Sequence, residues 1–271
     1  MNILDQIVAH KKQEIAERKE LYPVKLLEKS LYFSSPTVSL KKYLSRKDKC
    51  GIIAEFKRRS PSKGIINAYA NVEETSIGYM RAGASALSVL TDKQFFGGSN
   101  EDLRIARKFN FCPILRKEFI VDEYQLFEAR SIGADAILII AEILSEKEVR
   151  LFSDKAKALD LEVLMEVHTN EQLDKLNDSV DIVGVNNRNL ETFEVDIQTS
   201  YDMLDQIPSE LFKISESGIS NPEIVCRLKE AGFNGFLIGE HFMKSSHPGK
   251  NCLKFIEELN QMVDCQPTNN E

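Results

Sequence analysis

Short apolar runs recur along this chain, and each ends abruptly in charged, amide or small residues. Ile52-Ile53-Ala54 stops in Glu55-Phe56-Lys57, Pro113 to Leu115 runs into Lys117, and Val163 to Met165 into Glu166. Ile182 to Val185 ends in Asn186-Asn187-Arg188, Phe212 to Ile214 in Ser215-Glu216-Ser217-Gly218, and Phe236 to Ile238 in Gly239-Glu240. Eight β-type segments can be marked in all, beginning near Ile52, Ala86, Pro113, Asp135, Glu162, Val180, Phe212 and Gly235. Runs so uniformly apolar are covered on both faces, as the strands of a parallel sheet are.

Helix signals lie between them. Asn71 precedes Val72-Glu73-Glu74, Asp122 opens a helix closed by Gly133, and Ser145 to Glu148 has the spacing of a capping box. Ser220-Asn221-Pro222-Glu223 has it too, with Pro222 in the first turn and Gly232 at the far end. Eight strands alternating with helices predict an α/β fold closed as a (β/α)8 TIM barrel, a unit of about 250 residues. An open doubly wound sheet is the alternative, but no G-x-G-x-x-G follows the first run. Ahead of the barrel, Leu4, Ile7, Val8, Ile15 and Leu21 keep a helical period that Pro23 ends. The expected division is a helical extension packed on the barrel (1–48), the barrel catalytic domain (49–263) and a frayed polar tail (264–271).

Composition narrows the partners. The net charge of −7 argues against a nucleic-acid ligand, so any anionic ligand must meet locally placed cations. The five cysteines are odd in number and unpaired at metal or redox spacing, which fits a reduced, cytoplasmic setting. His10, His168, His241 and His247 show no metal spacing either. The start lacks a signal-peptide pattern, and the longest apolar run, Ala136 to Ala141, is too short to span a bilayer. The expectation is a monomer or weak homodimer acting on a small phosphorylated molecule, with neither metal nor membrane.

In a parallel barrel all strands end at one rim, where active sites are assembled. Glu55, Lys57, Lys117, Glu166, Asn186 and Arg188 would then converge. Parity puts Glu55 and Lys57 on one face, and Lys117 on the inward face of Leu115, with Arg116 and Glu118 outward. Glu55 and Lys57 read equally well as an ion pair lining the mouth. Glu166, ending an apolar run, is expected to have a raised pKa suited to proton transfer, or else to be the structural partner of a lysine. Asn186 shares a face with Arg188, whose fork suits an anion, while Asn187 and Asn189 face elsewhere. Ser217-Gly218 and Gly239-Glu240 follow the seventh and eighth runs, the usual phosphate position in this architecture. His168 reads as a loop residue near the mouth, and Phe95-Phe96 before Gly97-Gly98 as a loop tip or a cap on an apolar ligand.

The ordered segments IIAEFKRRSPSKG, SVLTDKQFFGGSNEDL, PILRKEFIVDEYQ, EVLMEVH, GVNNRNLETFEV, SESGI and FLIGEHFM resemble the indole-3-glycerol phosphate synthase family of tryptophan biosynthesis. The resemblance implies a cofactor-free lyase that converts 1-(2-carboxyphenylamino)-1-deoxyribulose 5-phosphate into indole-3-glycerol phosphate, carbon dioxide and water. It implies that Lys117 is the general acid on the substrate carbonyl, with Glu55, Lys57, Glu166 and Asn186 as further catalytic residues. Lys57, with Ser60 nearby, would hold the substrate carboxylate. Arg188, Ser217, Gly218, Gly239 and Glu240 would surround the phosphate, Glu216 would join the substrate-binding set, and Phe96, Phe119 and Leu190 would border the aromatic ring. Many relatives carry serine where this chain has Glu240, so its backbone N–H is expected to help while its carboxylate turns away. Another phosphate-binding barrel of the phosphosugar isomerase type and a non-catalytic sugar-phosphate binding protein are the alternatives.

Overall fold

In the computed structural model, which describes residues 2–264, the eight runs form strands β1 (Ile52–Phe56), β2 (Ala86–Leu90), β3 (Ile114–Lys117), β4 (Ala136–Ile140), β5 (Glu162–Val167), β6 (Ile182–Asn186), β7 (Phe212–Glu216) and β8 (Gly235–Ile238). Neighbours pair in parallel, and β1 pairs with β8, closing the barrel. Strand parity then sorts the side chains. Ile53, Leu115, Leu164, Ile214 and Leu237 fill the interior, while Ile52, Leu87, Ile114, Val163 and Phe236 pack outward under the helices.

The outer helices start where short polar side chains satisfy their first N–H groups. Asn71 caps α4 (Val72–Arg81), and Ser145 with Glu148 forms a full capping box on α7 (Glu146–Ala158). For α9 (Pro222–Ala231) the cap is Asn221, whose side chain accepts from Ile224, and not Ser220. The difference is one of register: with Pro222 at the first helical position, the residue before it becomes the cap. Helix α6 (Tyr124–Ile132) begins two residues after Asp122, which accepts the Tyr124 N–H at 2.9 Å, and ends at Gly133 with φ +92°. One connection departs from the pattern, since β5 and β6 are joined through a 3-10 helix, Asn170–Lys175. The chain ends in α11 (Pro248–Asp264), and the tail beyond Asp264 lies outside the described residues.

The residues before β1 touch the barrel at both ends. Helix α3 (Leu40–Leu44) plugs the bottom, with Leu40 and Leu44 packed against interior strand residues. The carboxylate of Glu162 at the start of β5 accepts from Ser39 Oγ at 2.5 Å and Lys41 N at 2.9 Å, and Asp135 accepts from Val38 N at 2.8 Å. Helix α1 (Ile3–Leu21) crosses the opposite rim, where Leu4 and Ile7 join the same interior cluster. Its far end packs differently. Ile15 meets Leu27 and Tyr124, leaving Leu21 69% exposed, contrary to the periodic reading. Below it, Arg116 points outward as parity requires, yet into a buried pair with Glu128 of α6, which Arg18 of α1 also reaches at 2.5 Å.

Asp135 carries the bottom closure, because it also accepts the Ile114 N–H at 2.7 Å and pairs with Arg107. Its replacement by alanine leaves two amide donors unpaired and strips the part-buried Arg107 guanidinium of its counter-ion, though its bonds to the Gly133, Asn110 and Cys112 carbonyls remain, so Asp135→Ala is expected to cost about 3 kcal/mol of stability in denaturant melts.

Candidate active site

Four charged residues of the cavity form one layer contributed by alternate strands, as barrel geometry prescribes: Glu55 from β1, Lys117 from β3, Glu166 from β5 and Glu216 from β7. Lys117 Nζ lies 2.5 Å from Glu166 Oε2 and 2.9 Å from Glu216 Oε2. Lys57 Nζ, at the end of β1, lies 2.6 Å from Glu55 Oε1. The strands between make room for these heads. A Cβ built on Gly184 of β6 would come within 2.3 Å of Glu216 Oε1, and one on Gly239 within 2.3 Å of Glu55 Oε1.

Charge is distributed unevenly over this layer. Burial works against the Lys117 ammonium, but the carboxylates of Glu166, Glu216 and Glu55 outweigh it and raise its pKa above that of an ordinary lysine. Burial likewise opposes ionisation of Glu166. The Lys117 charge, aided by hydrogen bonds from Lys117 and Asn186, more than offsets it and brings the carboxyl down to about 2. The raised pKa expected at Glu166 is therefore not found, and the other reading, partner of a lysine, is the one the structure shows, because the strand register brings Lys117 against its carboxylate. The raised carboxyl is Glu216 instead, pushed up to about 7 by burial and by the nearby Glu166 and Glu55 charges, which Lys117 only partly counters.

Towards β6 and β7 the cavity changes character. Asn186 donates to Glu166 Oε1 at 3.1 Å and accepts the Arg188 N–H at 3.0 Å. Ser217 and Gly218 are consecutive left-handed residues, at φ +68° and +78°, a conformation that folds the strand end into the concave backbone turn suited to anions. Asn187 holds that turn from outside, donating to Glu216 O at 2.9 Å and Ser217 O at 3.1 Å. Arg188 reaches Phe193 O at 3.1 Å and Glu240 Oε2 at 3.3 Å, and Lys244 Nζ lies 2.7 Å from Glu240 Oε1. The Glu240 carboxylate thus does not turn away from the expected phosphate position. It serves as a counter-ion to Arg188, since that guanidinium and Lys244 both lie within its reach.

The opposite wall is apolar. Phe96 and Phe119 stand 5.7 Å apart between ring centroids, and Leu190 completes the lining with Ser60 at its edge. Every catalytic or binding residue expected from the sequence borders this one cavity. Such an arrangement offers a buried ammonium between two carboxylates, a second lysine–glutamate pair, an aromatic slot and an anion-receiving turn.

Residues 4–258 match the family model described as indole-3-glycerol phosphate synthase. The chain belongs to the indole-3-glycerol phosphate synthase family. It is 46% identical over 258 residues to the indole-3-glycerol phosphate synthase of Bacteroides thetaiotaomicron, covering 95% of this chain and 99% of that protein. The indole-3-glycerol phosphate synthase of Aliarcobacter butzleri is 42% identical over 262 residues, 95% of this chain and all of its own. Among solved structures, the tryptophan synthase alpha-subunit of Pyrococcus furiosus superposes with a TM-score of 0.60 at 18% identity, over 79% of this chain and 99% of that one. That last likeness is one of barrel fold alone.

This synthase-family cavity has further walls beyond the expected site residues. Ile3, Leu4 and Ile7 of α1 border it, as do Glu118 and Phe193. The helical period marked Leu4 and Ile7 as buried on an extension expected to pack on the barrel, whereas Glu118 was expected to point outward and Phe193 was not singled out. Glu118 follows Lys117 out of the barrel and turns under α1, where it is 3% exposed. His168 is not among the lining residues; its Nε2 sits 3.4 Å from Glu166 Oε1, and neither ring nitrogen makes a hydrogen bond among the described residues.

Glu216 makes the fold pH-sensitive in a definite direction. A carboxyl raised from its ordinary value of 4.5 to about 7 contributes stability fully below about pH 4.5, and that contribution is lost as pH rises through 7. Glu216→Gln should remove this decline, leaving the variant more stable than wild type by a few kcal/mol in denaturant melts at about pH 8, with the two converging at about pH 5.

Proposed function

We propose that this family member carries out the indole-3-glycerol phosphate synthase reaction, closing the indole ring of 1-(2-carboxyphenylamino)-1-deoxyribulose 5-phosphate with loss of carbon dioxide and water. The observation that carries the residue assignment is Lys117, a buried ammonium clasped by Glu166 and Glu216 at 2.5 and 2.9 Å between an aromatic slot and an anion-receiving turn. The substrate has the matching parts: an anionic aromatic ring, a central ketone and a terminal phosphate.

In this reading the ring carbon bearing the carboxylate attacks the ketone, and Lys117 delivers a proton to the oxygen on which charge develops. Glu166 then loses the cation that kept it ionised, so its proton affinity rises at the moment a base is needed. Carbon dioxide departs and leaves its electron pair to restore the aromatic ring. Loss of the hydroxyl as water requires a second acid and removal of a proton, roles divided among Lys57, Glu55 and Glu166. Lys57, with Ser60 at its side, holds the substrate carboxylate, and Asn186 keeps Glu166 oriented. Phe96, Phe119 and Leu190 sandwich the ring, and Glu216 binds substrate beside Lys117. The phosphate takes Arg188 and the backbone around Ser217, Gly218 and Gly239, displacing the Glu240 carboxylate towards Lys244.

The family does not favour the isomerase or the non-catalytic alternative. We assign the protein to the cytoplasm, as a monomer or weak homodimer with a small phosphorylated substrate and neither nucleic-acid nor membrane partners. Support comes from its acidic balance of −7 and from a biosynthetic reaction whose substrate is a soluble phosphate ester. Among the described residues no helix is long and apolar enough to cross a membrane.

Incubation with the carboxyphenylamino-deoxyribulose phosphate should produce indole fluorescence; folded protein that yields none refutes the assignment. Lys117→Ala should lower kcat by roughly a thousandfold, and near-normal turnover would remove Lys117 as the acid. Arg188→Ala should raise KM by about tenfold or more with a smaller change in kcat, as expected for loss of one charge-assisted contact.

A further inference from the structure

Behind the aromatic wall lies a second ionic cluster that the reaction scheme does not use. Lys11 of α1 is only 2% exposed, and its Nζ lies 2.7 Å from Glu14, 2.9 Å from Asp92 and 3.1 Å from Glu118. Burial opposes its charge, but the Glu118, Asp92 and Glu14 carboxylates outweigh that and raise its pKa above that of an ordinary lysine. Lys11 does not border the cavity itself.

What the two distant carboxylates hold gives the cluster its meaning. Asp92 follows β2, and its Oδ1 accepts the N–H groups of Phe95 at 2.7 Å and Phe96 at 3.1 Å. Glu118 follows β3; its Oε1 accepts the Phe119 N–H at 2.9 Å, and its Oε2 accepts the Thr91 hydroxyl at 2.7 Å. Each carboxylate therefore grips the backbone of one aromatic wall residue while its charge is drawn to the same ammonium. Two loops on different strands are tied together through a point supplied by a third element.

We propose that Lys11 is a positioning residue for the ring-binding wall, registering the Phe96 loop against Phe119 and so setting how tightly the aromatic end of the substrate is held. The proposal deepens the functional reading above and rests on it. Other charges nearby do not replace this link. Arg116 stands 3.9 Å from Glu118 but is committed to Glu128, which Arg18 also pairs, and Lys93 borders the same polar crevice without an ion pair to Asp92 among the described residues. Without Lys11, Asp92 and Glu118 would be two buried carboxylates facing one another across the gap, with Glu14 beside them.

Lys11→Met preserves the length of the side chain and removes its charge. It should raise KM for the carboxyphenylamino substrate about tenfold while kcat stays within about threefold. The abandoned Asp92 and Glu118 carboxylates then face one another without their shared counter-ion, which pushes the two loops apart. Adding Glu118→Gln removes one of the repelling charges, so the double variant should recover most of the lost affinity. An unchanged KM in Lys11→Met overturns the proposal, as does a lowered melting temperature with kcat and KM moving together and no recovery in the double variant. Should Lys11→Met not fold at the assay temperature, Asp92→Asn, which keeps the ammonium beside Glu118 and Glu14, must raise KM in the same manner; a wild-type KM there overturns the proposal equally. Wild-type protein that leaves the substrate untouched sinks the functional reading and this proposal with it, whereas an active wild type beside an unaffected Lys11→Met sinks this proposal alone.

Discussion

The rest of the site depends on one buried ammonium held between two carboxylates. Lys117 with Glu166 and Glu216 places three ionised or ionisable heads inside a barrel whose lower layers are apolar but for the Ser88 hydroxyl, a setting in which any one of them alone would neutralise. Three carboxylates share that layer with one central lysine, so the ensemble is an acid short of a cation. The shortage appears at Glu216, whose carboxyl is lifted to about 7, while Glu166 keeps its charge because it lies nearer the ammonium. Proton movement near neutral pH follows from that imbalance.

Such a layer needs a rigid frame, and the barrel provides it. Eight strands in register hold residues from alternate strands at one height, and the glycines at 184 and 239 clear the space the carboxylates occupy. The frame is finished by residues that precede it in the chain. Leu40 and Leu44 stopper the bottom, Leu4 and Ile7 lean over the top, and buried ion pairs from α1 fasten the loops of the aromatic wall. Stability and function thus share side chains, since the helix that covers the barrel's interior also borders its cavity.

The anion end follows a different logic. There the backbone does the shaping, through two successive left-handed residues held from outside by the Asn187 amide. Arg188 and Glu240 already neutralise one another, so an arriving phosphate exchanges one partner for another instead of meeting a bare charge. Exchange of that kind trades affinity for a site that stays ordered when empty.

Uniformly apolar runs ending in polar residues, with caps at regular intervals, were enough to mark all eight strands and the parity by which Lys117 faces inward. Local propensity and the alternation of faces are properties of neighbouring residues, so one strand's worth of chain contains them. What the chain could not disclose was who meets whom across the barrel. That Glu166 would be ionised and Glu216 lifted, that Glu240 would answer Arg188, and that Lys11 would reach Asp92 and Glu118 all depend on separations of tens to more than a hundred positions. Electrostatic energy depends on distance through space, and only closure of the barrel fixes those distances.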